Sequence, residues 1–121
     1  MRSRYRVHEK HHAHFITATI VEWLPVFNSS ACCDIVVRAL QFCREKKALQ
    51  IYGWVILDSH LHAIVKAPEL SAVLRDLKSF TARQILEQLS REGRDWLLNQ
   101  LAYYRAGCYR RRGRAPASRP P

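Results

Sequence analysis

Apolar residues recur along this chain in two rhythms, alternate positions in some stretches and one helical face in others. His14-Phe15-Ile16-Thr17-Ala18-Thr19-Ile20-Val21 is rich in β-branched side chains and bounded by polar His14 and Glu22, which predicts a buried strand. Trp23-Leu24-Pro25-Val26-Phe27 leaves it as a loop. Asn28-Ser29-Ser30 then offers helix caps, and Cys32, Ile35, Val36, Ala39, Leu40 and Cys43 repeat at helical spacing up to Lys46-Lys47. Leu49 to Leu57 and His60 to Lys66 are β-prone runs joined by Asp58-Ser59, so an antiparallel hairpin is the simplest connection. From Glu69 the helical period returns, with Leu70, Val73, Leu74, Leu77, Phe80, Ile85 and Leu89 on one stripe as far as Gly93. Asp95 to Tyr104 fits a further helix.

Strand, helix, strand, strand, helix is the opening of a ferredoxin-like βαββα(β) arrangement, an α+β fold on an antiparallel sheet with no final strand visible. A length of 121 residues suits one small domain. The predicted boundaries are 1–104 for that domain and 105–121 for an Arg/Pro-rich tail expected to be disordered.

Charge alters the picture. Lys and Arg number 20 against 10 acidic residues, a formal charge of +10, and such a surface concentrates polyanions, nucleic acid foremost. Six of the arginines (Arg105, Arg110, Arg111, Arg112, Arg114, Arg119) follow Tyr104 with no acid among them, so the body is only mildly basic. Arg75, Lys78 and Arg83 fall away from the apolar stripe of the second long helix and are candidate phosphate contacts, Lys78 first. Cys32, Cys33, Cys43 and Cys108 lack a regular spacing, and the N-terminus has no apolar signal core; both fit a reduced, cytoplasmic protein. No apolar run approaches the ~20 residues of a membrane helix, so no membrane partner is expected.

His60 and His62 are the candidate chemistry. Residues two apart in a strand project from the same face, so the imidazoles point together while Leu61 packs below. The hairpin sets Leu57 opposite His60 and Val55 opposite His62, an apolar floor for the pair. Two imidazoles with oxygen donors suit Mg²⁺ or Mn²⁺ on a phosphate, whereas structural zinc wants a closed set of four ligands. The cluster His8, His11, His12 and His14 invites zinc with Cys32, Cys33 or Cys43, but cysteines on the apolar stripe of a helix ordinarily serve as small hydrophobes.

Tyr52-Gly53-Trp54-Val55-Ile56-Leu57-Asp58-Ser59-His60-Leu61-His62-Ala63-Ile64-Val65 resembles the signature strand pair of the tyrosine HUH single-strand DNA transposases, especially the REP-associated branch, in which a His-hydrophobic-His triplet follows a short turn. His14-Phe15-Ile16-Thr17 is similar to that family's first strand, Trp23-Leu24-Pro25-Val26-Phe27 to the loop after it, and Leu77-Lys78-Ser79-Phe80-Thr81 to its second helix. The likeness runs from about His8 to about Tyr104. It implies a transposase, a DNA recombination enzyme of a mobile element. A tyrosine hydroxyl attacks a phosphodiester of a single-stranded DNA hairpin, leaving a 5′-phosphotyrosine link and a free 3′-OH, with the metal stabilising charge on the phosphate. Two subunits acting together, a homodimer, are implied as well.

The chain departs from the family after Tyr104. The family's nucleophilic tyrosine sits on a later helix that commonly adds a third metal ligand; Tyr103 and Tyr104 do not match it and read first as packing residues. Gly107-Cys108-Tyr109-Arg110-Arg111-Arg112-Gly113-Arg114-Ala115-Pro116 resembles the product of a reading-frame shift or a decayed gene end. On that reading the protein binds metal and DNA and cleaves nothing. The rival from another class is a ferredoxin-like nucleic-acid-binding module, which would stack bases on alternating aromatics of its open sheet face and use no metal.

Overall fold

In a computed structural model, residues 12–110 are described, with side chains through residue 105. Strand β1 (His14–Thr19) is followed by 3₁₀ turns at Val21–Trp23 and Val26–Asn28. Helix α1 (Ser30–Lys46), strands β2 (Gln50–Ile56) and β3 (His60–Lys66), and helices α2 (Leu70–Arg91) and α3 (Asp95–Arg110) complete the chain. The strands form an antiparallel sheet in the order β1-β3-β2. Together with the helices this makes an α+β fold compatible with the ferredoxin-like type.

Local chemistry explains the elements. Ser29 caps α1, its hydroxyl accepting from the Cys32 amide at 3.3 Å, and the same hydroxyl donates to Glu92 Oε2 at 3.0 Å. The start of α1 is thereby tied to the end of α2. At the opposite ends Lys47 Nζ meets Asp76 Oδ2 at 2.6 Å. Between these ties Cys32, Val36, Ala39, Leu40 and Cys43 of α1 pack in one cluster with Leu70, Val73, Leu74 and Leu77 of α2. The floor of that cluster is Ile16 and Ala18 of β1 with Leu61, Ala63 and Val65 of β3. Alternation then leaves Phe15, Thr17, His60, His62, Ile64, Val55 and Leu57 on the open face.

The structure departs from the sequence pattern in several places. β1 ends at Thr19, because the chain turns into the first 3₁₀ turn at Val21. On α2 the buried row is Leu77, Thr81, Ile85 and Leu89, while Phe80 is 47% exposed. Residues four apart share a helix face, and Phe80 lies one position off that row. Thr81 tolerates burial because its hydroxyl donates to the Leu77 carbonyl at 2.7 Å.

Helix α3 runs past Tyr104 to Arg110, so the expected disorder from residue 105 does not hold for that stretch. Arg and Ala are good helix formers, and the single Gly107 does not break the run. Residues 111–121 of the predicted tail lie outside the described residues. No fourth strand occurs among the described residues, and none of their helices is long and apolar enough to cross a membrane.

Candidate metal and phosphate site

Strand β3 is the middle of the sheet, hydrogen-bonded on both sides, which fixes the spacing of His60 and His62. The hairpin register sets Val55 opposite His62, and Leu57 N–H donates to the His60 carbonyl at 2.8 Å. Both floor positions follow the sequence reading. The two half-buried imidazoles stand almost parallel, 7° between planes and 5.7 Å between centroids.

Each ring is oriented by a hydroxyl. Thr17 Oγ1 on β1 lies 3.1 Å from His62 Nδ1, and Ser59 Oγ lies 2.8 Å from His60 Nδ1. A hydroxyl accepts or donates as its partner requires. When Nδ1–H donates to the hydroxyl oxygen, Nε2 keeps its lone pair, the form of imidazole able to coordinate a metal ion. In the other tautomer Nε2–H is a donor suited to a phosphate oxygen. Ser59, read from sequence only as a turn residue, is 2% exposed, and its carbonyl accepts from Ile20 N–H at 2.8 Å. The pairing of Thr17 with His62 spans 45 positions of the chain and so has no local sequence signal.

Aromatic rings continue the row at both ends. Phe15 stacks on His62 with centroids 5.6 Å apart and 21° between planes, and Trp23 meets His60 edge to face at 4.4 Å. Glu22 and Trp23 have φ of 52° and 56°, a left-handed conformation costing roughly 1–2 kcal/mol per residue for L side chains. The segment is held by two backbone bonds to the hairpin turn, Ile20 N–H to Ser59 O at 2.8 Å and Phe27 N–H to Asp58 O at 2.9 Å. Trp54 pairs with Ala63 and so belongs to the helix side of the sheet. There it lines a groove with Arg44 and Tyr52, which leaves Phe15 as the one aromatic of the described strands, besides the histidine rings, on the open face.

The donor set fits one class of ion better than another. Among the described residues no group of three or more His, Cys, Asp or Glu converges. Two imidazole nitrogens fall short of the closed set of four that structural zinc takes and leave the rest of any divalent ion's shell to phosphate and water oxygens. The cysteines point the same way: Cys32 and Cys43 are buried and Cys33 half-buried, and burial pushes all three thiols up, away from the thiolate zinc requires. His8 and His11 lie outside the described residues, as does the side chain of Cys108.

The basic residues of α2 do not form one patch. Arg75 is exposed and 3.8 Å from Asp76, and Arg83 is exposed about 140° round the helix from Lys78. Lys78 is half-buried beside Ile16, Thr17 and Ala18 of β1, and this desolvation lowers its pKa. It thus sits at the β1 edge on the side of the sheet that α2 covers, the face opposite the one that carries His60 and His62. Tyr103 and Tyr104 meet edge to face at 5.1 Å, with Tyr104 packed against the core; helix α3 rests on α2 and on the Val21–Trp23 turn. Compared with protein-family models, with curated proteins and with solved structures, the chain matches none, so its chemistry is read from these side chains.

Proposed function

We propose that this chain binds single-stranded DNA, hairpins in particular, and seats a backbone phosphate at His60 and His62 in the manner of a tyrosine HUH transposase. The observation that supports it most directly is the pair of near-parallel imidazoles on the open sheet face, each with Nδ1 engaged by a hydroxyl and Nε2 left to meet a ligand. A bound Mg²⁺ or Mn²⁺ would supply Lewis-acid stabilisation of charge on the phosphate. The chain's own contribution is to orient the rings through Thr17 and Ser59 and to flank the phosphate with the apolar side chains of Val55 and Leu57. Lys78 at the β1 edge, and Arg75 and Arg83 on other faces of α2, are separate cations for the strand on either side of that phosphate.

Strand cleavage and joining through a phosphotyrosine link would further require a tyrosine hydroxyl at that phosphate. Tyr103 and Tyr104 pack on each other, and Tyr104 also packs on the core, which favours a binding role without cleavage for this copy. Incubating the protein with an end-labelled DNA hairpin and Mn²⁺, followed by denaturing electrophoresis, separates the two. Binding without an adduct supports the non-cleaving form. An adduct lost in His60→Ala marks an active transposase, and absence of any metal-dependent binding refutes the proposal.

A further inference from the structure

Trp23 is 71% exposed and Phe15 is 60% exposed, so burial in the core does not account for either. Trp23 is nevertheless held by consecutive left-handed non-glycine residues, an unfavourable backbone that persists where the surrounding structure enforces it and that clusters at ligand sites. The two rings flank the histidine row from outside, Phe15 against His62 and Trp23 against His60. A phosphate seated between the histidines has one nucleoside on either side of it, and each would meet one of these rings. Lys66 lies on the same face of β3, and the chain's formal charge of +10, six of its arginines falling after Tyr104, suits a polyanionic strand.

We infer that Phe15 and Trp23 are base-stacking residues that hold the two nucleotides flanking the bound phosphate of single-stranded DNA. The inference rests on the single-strand reading and deepens it: duplexed bases cannot offer their faces, whereas unpaired ones stack on an exposed ring whatever their sequence.

The test compares oligothymidylate with the same strand carrying abasic sites, by fluorescence anisotropy at constant salt, so that phosphate charge is unchanged. Wild type should bind the base-bearing strand about tenfold more tightly. Trp23→Leu and Phe15→Leu should each lose much of that difference while keeping their affinity for the abasic strand, and Trp96→Leu, at an exposed tryptophan on α3, should retain it. Equal affinity of wild type for both strands overturns the stacking role without needing any variant to fold. So does an undiminished difference in the Trp23→Leu/Phe15→Leu double variant, and in both cases single-strand binding stands. Failure of wild type to bind either strand overturns the single-strand reading, and the stacking role with it.

Discussion

Thr17 on β1 and His62 on β3 are joined side chain to side chain across the open face of the sheet, Oγ1 to Nδ1 at 3.1 Å. This contact makes a neighbouring strand part of the site and gives it a handle that leaves both histidines in place. Thr17→Val keeps the β-branched shape and removes the hydroxyl. Mn²⁺ affinity measured by titration should fall about 10–100-fold, the usual cost of losing a partner that orients a metal-bound histidine. Unchanged affinity would show that ring orientation does not depend on the hydroxyl.

Lys78 should trade stability for binding. Burial lowers its pKa with no compensating acid, so Lys78→Met, which keeps an apolar stem, should unfold at equal or higher urea concentration. It should also bind single-stranded DNA more weakly, with a salt slope shallower by about one. The sign with pH follows from the lowered folded value: the unfolded chain holds the proton more tightly. Wild type therefore gains stability on Lys78→Met as pH rises from the folded pKa to the unfolded value of about 10.4. A variant less stable than wild type at neutral pH would contradict this.

Ala48 follows the end of α1 with φ of 55°, a place where glycine is preferred. Ala48→Gly should stabilise the protein by about 0.5–1 kcal/mol in urea denaturation. A loss of stability would mean that the methyl group makes packing contacts that outweigh the backbone strain.

Asp76 is held below the ordinary carboxylate range, first by its hydrogen bond to Lys47 and then by that ammonium's charge. Protonation is resisted in the folded state and accepted in the unfolded one. The contribution is therefore complete above the unfolded value of about 3.9 and fades as pH falls through the lower folded value. Lys47→Met should flatten the acid limb of the stability curve in that window, and an unaltered limb would assign acid unfolding to other groups.

On α2, Leu89→Ala should cost about 2–5 kcal/mol because Leu89 is fully buried, while Phe80→Ala should cost well under that. Thermal or urea unfolding of the two variants decides it, and a larger loss at Phe80 would refute the observed facing of the helix.

That facing marks the limit of what sequence supplied. Both Phe80 and Thr81 sit near an apolar stripe, and composition favours the phenylalanine; the row through Leu77, Ile85 and Leu89 puts Thr81 inside, where the Leu77 carbonyl accepts its hydroxyl. The hairpin was legible because two β-prone runs, Leu49 to Leu57 and His60 to Lys66, are joined by the short turn Asp58-Ser59, which fixes the pairing of Val55 with His62. The surroundings of the histidines were less so. Ser59 and Thr17 meet the rings through tertiary placement, and Trp23 reaches His60 through a backbone conformation that residue identity does not announce. Helix α3 extended further than expected because a rise in arginine content changes charge without removing helical propensity.

Because β3 is paired on both flanks, the histidines ride on the strand whose amides should open last. Edge strands fray first, so β1 and β2 absorb local fluctuations that would otherwise alter the distance between the imidazoles. Thr17 is the exception, since it orients His62 from an edge. Slow exchange at the amides of β3 beside faster exchange at β1 would therefore describe a site whose ligand spacing is rigid and whose ring orientation is free to respond to what binds.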